Sequence, residues 1–536
     1  MLIESCITDA FIFYKKLRLI EHRTGLLESL GPCVDGHSSY TLIGACARSV
    51  LTVTEGKASL LDVATGREEI IHDWKAVVDA WAPLGGPVLC QPYQTGCMGY
   101  IGYDRKNDFE YYVPHIAQDT AMPDVCLVRY GAVLVFDRVA ATATWVVDDE
   151  AQVERVAVFE ALVRSEVTQD GSAFVLCGDV VCDTPEDQYQ QSIERIIEYI
   201  KAGDVFQVNF TSRFCGSYLG DVIHLYEALR SRTPNPYFAL LDFAQPLIST
   251  SPERFLSIEA GRITASPIKG TLRCEINGQD QRAALLGSAK NRAENVMIAD
   301  LMRNDLGRIC EQGTVQVEAL CAIRRFNQLY HLESTIAGTL RDDVMLSDVL
   351  AATFPCGSIT GAPKIRAVQI IEELESHRRG PYCGAIGFFG RQGWVQTCVG
   401  IRIIYFDSGQ LYFHAGGGIV VDSDAAEEYA EMSLKAESIK STIESFNVMN
   451  DVRARIDEID DQLFEVVHRR FEVIKEACRI KVQYGVPVVQ QSRMEQMIAF
   501  RKLRMQDDKE IPETCITDLY AVLTEHSMQL EHRAKP

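Results

Sequence analysis

The stretch IRIIYFDSGQLYFHAGGG, residues 401–418, contains two apolar β-strand patterns separated by a short turn. Strands joined by so short a turn pair antiparallel, because a parallel pair needs a long crossover connection. Similar pairs of strand patterns recur along the chain. They favour an α+β fold, with antiparallel sheets and flanking helices, over a doubly wound parallel sheet.

The same patterns continue towards the N-terminus. Residues 1–170 contain alternating or apolar runs, such as YTLIGACARSVLTV, that are bounded by Gly, Asp and Pro and predict antiparallel sheet. Over residues 185–445, helical patterns such as DQYQQSIERIIEYIKAG alternate with strands, and Gly203 is expected to end that helix. We therefore predict a main body with two parts, 1–170 and 185–445.

Residues 450–536 differ in character and are predicted to be all-α, with three helices. From Val452 to Ile480, apolar residues recur at three- and four-residue spacings, which indicates one long amphipathic helix. Gly485 and Pro487 should break this helix, and two shorter helical patterns follow. A helix of this length cannot bury its apolar stripe alone, so this tail must pack on the main body or on a second copy of itself.

The charge balance narrows the range of partners. The chain has 536 residues, of which 74 are acidic and 53 are basic, so its formal charge is -21 and it repels nucleic acid and anionic membranes on average. A small anionic substrate would need a locally cationic pocket.

Neither a signal-peptide pattern nor a run of about 18 apolar residues is present, so we expect a cytoplasmic protein. The 17 cysteines include no Cys-x-x-Cys pair, which argues against a disulfide or zinc framework.

Eight short motifs follow one another in the second part of the main body. They are SPERF (251–255), SPIKGT (266–271), NRAENVMIADLMRNDLGR (291–308), HLESTIAGTL (331–340), FPCGSITGAPK (354–364), RGPYCGAIG (379–387), GIRI (400–403) and HAGGGIVVDSDAAEEYAEMSLKA (414–436). In this order they resemble the chorismate-utilising enzymes, which include anthranilate synthase component I, aminodeoxychorismate (para-aminobenzoate) synthase component I, and isochorismate and salicylate synthases. The resemblance covers nearly all of residues 1–445 and implies the fold of anthranilate synthase component I.

Two motifs are most similar to the aminodeoxychorismate synthase type. Anthranilate synthases usually carry Ala in place of Lys269 and His in place of Asn295. The resemblance therefore implies amination of chorismate at C4 to 4-amino-4-deoxychorismate. Glu253 matches the acid that protonates the leaving hydroxyl, and Lys269 matches a nucleophile that attacks C2 as a neutral amine, which needs a lowered pKa. A surface role for Glu253 and a purely carboxylate-binding role for Lys269 are the alternatives.

The resemblance also implies a metal and a substrate-binding set. Chorismate is a dianion, and Mg²⁺ prefers hard carboxylate oxygens. By resemblance, Glu294 and Glu431 bind Mg²⁺, with Glu428 nearby. The implied substrate contacts are the amides of Gly416, Gly417 and Gly418 with Tyr382, Arg402 and Lys435 on the carboxylates, and His331 and Thr360 along the ring. Each of these residues has a structural alternative, such as a plain turn for the glycines.

The nucleophile is indicated by Gln207. Members of the family that use water carry a Lys base at this position, and an amide cannot activate water as a base does, which agrees with ammonia as the nucleophile. The chain contains no recognisable Cys-His glutaminase constellation, so ammonia is expected from a separate glutamine amidotransferase subunit or from solution. One departure concerns the lysine loop, where the family's Leu-Pro-Arg is Leu272-Arg273-Cys274.

The tail resembles the all-helical chorismate mutases. The matching positions include Arg453, Arg470, Lys481, Arg493 and Ser527. A Claisen rearrangement needs no nucleophile, only a pocket that holds the dicarboxylate and stabilises negative charge on the ether oxygen. The resemblance implies that the four basic residues form this pocket in a homodimer. Basic residues on a solvated helix are the alternative.

The tail departs from that family where the family contacts C4. Gln490 and Met494 replace an Asp and a Glu that lie beside the C4 hydroxyl, and Glu531 replaces the Gln that contacts the ether. Since the main body should install an amine at C4, our hypothesis is that the tail converts 4-amino-4-deoxychorismate to 4-amino-4-deoxyprephenate, on the route toward 4-aminophenylalanine. One objection is electrostatic: a cationic ammonium group at C4 would be stabilised by the two acidic side chains that Gln490 and Met494 replace.

Several alternatives stay open at this point. The tail could be an ordinary chorismate mutase or a non-catalytic module for dimerisation or effector binding. The main body could supply para-aminobenzoate for folate, could be an anthranilate synthase component I, or could be a catalytically silent subunit. The preferred interpretation is a bifunctional enzyme, a transferase followed by an isomerase.

Overall fold

The computed structural model divides the chain into two compact units, Met1–Asn447 and Val448–Pro536, which correspond to the main body and the tail. The structure describes residues 1–30, 39–85, 93–110, 112, 116–163, 171–276, 279–326, 329–485, 491–504 and 513–533. Within these ranges, some side chains of the tail helices are not described.

The main body combines strands and helices in the following order. The strands are β1 (Leu2–Ser5), β2 (Gly25–Glu28), β3 (Tyr40–Thr54), β4 (Lys57–Asp62), β5 (Glu68–Ile71), β6 (Gly96–Ile101), β7 (Val125–Asp137), β8 (Thr142–Val147), β9 (Val175–Cys182), β10 (Gln207–Leu219), β11 (Tyr237–Leu241), β12 (Leu247–Ser251), β13 (Arg254–Glu259), β14 (Arg262–Ser266), β15 (Ile268–Arg273), β16 (Glu275–Ile276), β17 (Gln279–Asp280), β18 (Gln316–Phe326), β19 (Leu329–Thr339), β20 (Gly361–Ala362), β21 (Ala385–Gly390), β22 (Val395–Val399), β23 (Ile403–Asp407) and β24 (Gln410–Ile419). The helices are α1 (Ala10–Leu17), α2 (Trp74–Trp81), α3 (Glu150–Val163), α4 (Glu186–Ala202), α5 (Val222–Arg232), α6 (Arg282–Gly287), α7 (Ala289–Gly307), α8 (Leu346–Thr353), α9 (Lys364–Leu374) and α10 (Ala425–Glu444). Two 3₁₀ turns, Tyr103–Asp108 and Gly357–Ile359, complete the set.

One antiparallel network joins 22 of these strands. At its centre, β3 pairs with β7. One arm continues from β7 through β6, β21, β22, β13 and β14 to β19, which also pairs with β15 and β18. The other arm continues from β3 through β2, β11, β12, β23 and β24 to β10 and β9. Strands from the two predicted parts of the main body are therefore joined in one sheet network, and the predicted antiparallel α+β fold is confirmed.

Helix ends in the main body follow local sequence signals. The predicted helix before Gly203 is α4, and Gly203 has the left-handed backbone (φ 86°) that a helix C-terminus favours. Helix α7 begins after Ser288, whose side chain accepts from the amide of Asn291. Helix α10 begins after Asp424, which accepts from two amides of the first turn. These caps fix the starts of the two helices that carry the acidic motifs.

Two apolar cores stabilise the main body. The first lies where α2, α7 and α8 meet the arm that begins at β6, and it contains Trp74, Phe255 and Met302. The second lies where α1, α4, α5 and α10 cover the arm that ends at β9, and it contains Tyr14 and Phe413. Burial of apolar surface on this scale is the main favourable contribution to folding. Both arms are therefore held rigidly where the site motifs lie.

The tail consists of three helices, α11 (Val448–Tyr484), α12 (Gln491–Arg504) and α13 (Glu513–Arg533), as predicted. Helix α13 packs against α11 and α12, and Arg470 on α11 donates to the carbonyl of Leu523 on α13 at 3.3 Å. The predicted apolar stripe of α11 remains between 49% and 64% exposed. Its described members are Ile456, Ile459, Leu463, Val466, Val473 and Ile480.

Over the described ranges, no helix is long and apolar enough to span a bilayer. The cytoplasmic location stays a prediction.

Candidate active site

Lys269 lies on β15, next to a bulge at Gly270, which has a φ of 75°. Its Nζ donates to the carbonyl of Ser358 at 3.0 Å. Burial lowers the pKa of Lys269, whereas the nearby carboxylates of Glu294 and Glu253 oppose this shift. An amine with a lowered pKa spends more time neutral, and only the neutral amine is a nucleophile.

Glu253 lies between β12 and β13 and is 4% exposed. Its Oε1 is buried and has no hydrogen-bond partner among the described residues. Burial raises the pKa of Glu253 to about 7, although the Ser358 side chain and the charge of Lys269 counteract the effect. A carboxyl group with such a pKa is about half protonated at neutral pH and can act as an acid. The structure therefore brings together the predicted acid and the predicted nucleophile on either side of Ser358.

The segment from Cys356 to Ala362 supports both groups. Two backbone hydrogen bonds attach it to the start of β10: the amide of Asn209 donates to the Thr360 carbonyl at 2.8 Å, and the amide of Phe206 donates to the Ala362 carbonyl at 2.7 Å. The Thr360 hydroxyl lies 3.2 Å from the Cys356 carbonyl. Since Thr360 is fully buried and its hydroxyl is engaged locally, its hydroxyl helps to shape this turn.

Arg379 was not singled out by the sequence, yet it anchors the same turn. Its guanidinium is 1% exposed and forms a two-bond ion pair with Glu375, at 2.9 and 2.7 Å. It also donates to the carbonyls of Ile359, at 2.9 Å, and Asn209, at 2.8 Å. The carboxylate of Glu375 accepts from the amide and hydroxyl of Thr211 on β10. This buried network therefore ties the turn to β10.

Replacing Arg379 with Ala should lower the free energy of unfolding of the main body by about 3 to 5 kcal/mol, because Glu375 would keep a buried, unpaired charge. Urea unfolding followed by tryptophan fluorescence measures this, since all four tryptophans lie in the main body. The matched control is Arg195→Ala, which removes an exposed ion pair to Glu198 and should change little. Equal effects of the two variants would contradict a stabilising role for the buried network.

His331 and Arg402 lie close together. Burial and the charge of Arg402 lower the pKa of His331 to about 4, so its ring is neutral at physiological pH. Its Nδ1 lies 3.0 Å from the hydroxyl of Thr271. Burial also lowers the pKa of Arg402, and no carboxylate pairs with this guanidinium among the described residues. A half-buried cation without a countercharge is suited to bind an anionic group of a ligand.

Tyr382 is buried and stacks on the ring of His414, with centroids 4.7 Å apart and planes 9° from parallel. The Nε2 of His414 lies 3.1 Å from the hydroxyl of Tyr405. Burial lowers the pKa of His414 well below its ordinary value, so this ring is also neutral. The stack holds the Tyr382 ring in one orientation.

The glycine run Gly416–Gly418 lies inside β24, so it is not the plain turn that was the structural alternative for these residues. A side chain at Gly418 would overlap the amide of Gln207. A Cβ at Gly417 would lie 3.3 Å from Glu428 Oε2 and 3.8 Å from Glu431 Oε1. The glycines therefore leave space between β24 and the acidic face of α10.

Two lysines neutralise the carboxylates at this space. Lys435 Nζ lies 2.6 Å from Glu431 Oε1 and 3.1 Å from the Gly416 carbonyl, and Lys290 Nζ lies 4.0 Å from Glu428 Oε1. Burial raises the pKa of Glu428, and the charge of Glu431 adds to this rise. Burial alone would also raise the pKa of Glu431, but the lysines hold it below its ordinary value.

The fit of these acids to a divalent cation is mixed. Within the described ranges, no three His, Cys, Asp or Glu side chains are grouped as metal ligands. Two of the three predicted ligands, Glu428 and Glu431, nevertheless converge on Gly417. The third, Glu294, acts electrostatically on Lys269, as does Glu431. The donors are carboxylate oxygens, which Mg²⁺ prefers, so the set fits this ion in chemical type.

Two amide side chains on β10 face this region. Gln207 is fully buried, and neither its Oε1 nor its Nε2 has a hydrogen-bond partner among the described residues. The Nδ2 of Asn209, two residues further on the same face, also lacks one. Buried polar groups are normally satisfied, so these donors and acceptors are suited to bind a ligand. Asn209 was missed by the sequence analysis, although a polar residue in the apolar run FQVNF was a signal.

Only part of the predicted mutase site can be located. Arg470 and Lys481 lie on α11, within the described side chains. The other predicted residues fall outside them: Gln490 lies outside the described residues, and Arg453, Arg493, Met494, Ser527 and Glu531 have no described side chains.

A cavity of about 820 Å³ lies apart from the residues described above. Leu27, Tyr40, Tyr237, Arg254 and Trp394 are among its lining residues. None of the predicted catalytic, substrate-binding or metal-binding residues lines it.

Comparison with known proteins identifies both units. Residues 54–441 match the model of the chorismate binding enzyme family, and residues 452–532 match that of chorismate mutase type II. The chain is 38% identical to aminodeoxychorismate synthase component 1 of Escherichia coli (strain K12) over 358 residues, which are 66% of this chain and 78% of that protein. It is 33% identical to anthranilate synthase component 1 of Thermus thermophilus over 416 residues, which are 76% of this chain and 89% of that protein. The crystal structure of anthranilate synthase component I from Streptococcus pneumoniae matches with a TM-score of 0.67 at 28% identity, covering 75% of this chain and 92% of that one.

Proposed function

Since the chain belongs to the chorismate binding enzyme family and ends in a chorismate mutase type II domain, we propose that its main body aminates chorismate at C4. The product is 4-amino-4-deoxychorismate. The observation that carries this proposal is the pairing of a buried acid, Glu253, with a half-buried lysine, Lys269, across Ser358. The similarity to aminodeoxychorismate synthase component 1 supports the same reaction.

Two additions account for the chemistry. Neutral Lys269 attacks C2, the two ring double bonds shift, and the C4 hydroxyl leaves as water with the proton of Glu253. Ammonia then attacks C4, the double bonds shift back, and the bond between C2 and Lys269 breaks. The proton that ammonia loses returns to Glu253, which restores both groups.

The remaining residues hold the substrate and the nucleophile. Arg402 and Tyr382 bind the carboxylates of chorismate, and neutral His331 contacts its ring. Gln207 orients ammonia through its amide, because it cannot act as a base towards water. The ammonia comes from a separate glutamine amidotransferase subunit or from solution.

Mg²⁺ completes the site in this proposal. Glu294 and Glu431 would hold it, with Glu428 nearby, and the ion would supply positive charge for the ring carboxylate of chorismate. Lys435, which lies beside Glu431, would bind a carboxylate of the substrate. The convergence of Glu428 and Glu431 on Gly417 supports this arrangement.

For the tail, we propose rearrangement of 4-amino-4-deoxychorismate to 4-amino-4-deoxyprephenate. Arg470 and Lys481 would bind the dicarboxylate, together with the predicted residues that lie outside the described side chains. The exposed apolar stripe of α11 supports a dimer of two tails. An ordinary chorismate mutase and a binding module are the competing functions.

Product analysis tests both halves of the proposal. The intact chain, given chorismate, ammonium and Mg²⁺, should form a product that carries nitrogen at C4. Chromatography with mass spectrometry detects the amination, and NMR is needed for the rearrangement because it leaves the mass unchanged. Anthranilate as the product would overturn the assignment of the main body, and omission of Mg²⁺ should abolish turnover.

The tail is tested separately in the full-length Lys269→Ala variant, whose main body should be inactive. We expect this variant to rearrange added 4-amino-4-deoxychorismate faster than chorismate. A second variant that also carries Arg470→Ala should lose this activity by about 10²-fold or more. Turnover of chorismate alone would show an ordinary mutase, and turnover of neither compound would favour a binding module.

A further inference from the structure

The backbone of Arg402 has a φ of 53°, in the left-handed region that residues other than glycine rarely adopt. Its carbonyl accepts two hydrogen bonds from one residue, Thr250, whose amide lies at 3.0 Å and whose hydroxyl lies at 2.9 Å. A strained backbone persists only where its surroundings hold it in place. Thr250 provides that restraint on one side of Arg402.

Thr250 is itself firmly placed. It lies on β12, is 2% exposed, and its carbonyl accepts from Asn235 Nδ2 at 2.9 Å. The regular pairing of β12 with β23 ends at Ser249 and Ile403. The two hydrogen bonds from Thr250 therefore extend the contact between these strands by one residue, to Arg402, whose backbone no longer has the extended conformation of β23.

The chain before Arg402 is equally constrained. The amide of Ile401 donates to the Val399 carbonyl at 2.7 Å, which closes a tight turn. The amide of Gly400 donates to the carbonyl of Gly384 at 2.8 Å, and the amide of Cys383 donates back to the Gly400 carbonyl at 2.8 Å. Thr250 supplies the restraint after this turn, and the backbone between the two restraints carries Arg402.

The Arg402 side chain has the properties of an anion-binding group, and a fixed backbone would help it to bind. It is a half-buried cation beside His331, without a carboxylate partner among the described residues. Without a fixed backbone, so long a side chain would lose considerable conformational entropy when it binds an anion. A backbone that is already fixed removes part of that cost.

We propose that Thr250 is a positioning residue that holds Arg402 in its left-handed conformation and thereby aims the guanidinium at a carboxylate of the substrate. The inference rests on the proposed function for the identity of that substrate. Thr250 touches neither the substrate nor the reacting atoms. Its hydroxyl acts through the Arg402 carbonyl alone.

The test compares three full-length variants with the wild type. Thr250→Val removes the hydroxyl and keeps the shape and the amide, whereas Thr250→Ser restores the hydroxyl. Thr442→Val is the matched control, because it removes another buried hydroxyl, which donates to the Ser438 carbonyl at 3.0 Å on α10. For Thr250→Val we expect the KM for chorismate to rise about tenfold with kcat changed less than about threefold. Thr250→Ser should lie near the wild type, and Thr442→Val should leave KM unchanged.

Two results would overturn the inference: an unchanged KM in Thr250→Val, or equal defects in the Val and Ser variants. Equilibrium binding of chorismate separates this inference from the proposed function. If the wild type binds chorismate but does not aminate it, the proposed function fails. The role of Thr250 is then decided by the Kd, which should rise about tenfold in Thr250→Val and stay constant if Thr250 has no such role.

Discussion

Replacement of Lys269 with Ala is expected to lower kcat for C4 amination by about 10³-fold or more. The reason is that the proposed reaction forms and then breaks a bond to this amine, and no other group can take its place in these two steps. The half-buried Nζ donates to the Ser358 carbonyl and lies near the carboxylates of Glu253 and Glu294. Direct attack of ammonia on C4 would be the only route left, without the shift of the ring double bonds.

The measurement is steady-state kinetics of product formation with chorismate and ammonium. Lys269→Gln provides a second variant that keeps a polar side chain of similar length but has no nucleophilic amine, and it should be as defective as Lys269→Ala. The control is Lys440→Ala, which removes an α10 ion pair to Glu444 outside the site. A raised KM with an unchanged kcat would leave Lys269 a carboxylate-binding role and remove the covalent step.

The fold was predictable where sequence signals are local. Residues 401–418 form the antiparallel pair β23 and β24, because a short turn determines how its flanking strands pair. The long helix α11 ends at Tyr484, next to Gly485, as the apolar periodicity and the glycine indicated. The order of strands in the sheet was not predictable in this way. Pairings such as β21 with β6 join residues far apart in sequence, and no local signal specifies them.

Part of the site followed from matched motifs, and the rest depended on tertiary packing. The motifs predicted Lys269 and Glu253, but only the fold shows that burial shifts their pKa values. Glu375 and Arg379 have the four-residue spacing of an ordinary surface pair. Their burial, and hence their importance, comes from β10, which packs over them. A plain turn stayed open for the glycine run, because the pairing of these residues with β10 is a long-range contact.

Replacement of Glu253 with Gln is expected to lower kcat/KM by about 10² to 10⁴-fold, the usual contribution of a general acid. Gln has nearly the same shape and cannot donate a proton to the leaving hydroxyl. Because the active form of Glu253 is protonated and its pKa is about 7, wild-type kcat/KM should fall as the pH rises above about 7. The active form of Lys269 is neutral, so its titration acts in the opposite direction. A pH profile of Glu253→Gln should therefore lack the falling limb and keep the rising one.

A stability measurement checks the same pKa without turnover. In the folded protein Glu253 titrates near 7, and in the unfolded chain it titrates near its ordinary value of 4.5. Between these two values the folded state binds more protons, so its stability falls as the pH rises through this window and is constant above about 7. Glu253→Gln removes this loss. The variant should match the wild type at pH 4 and be more stable by about 3 kcal/mol at pH 8. Equal stabilities of the variant and the wild type at pH 8 would mean that the pKa of the Glu253 carboxyl group is not raised in the folded protein. In the kinetic experiment, a fall of kcat/KM at high pH that survives in Glu253→Gln would assign the acid to another residue.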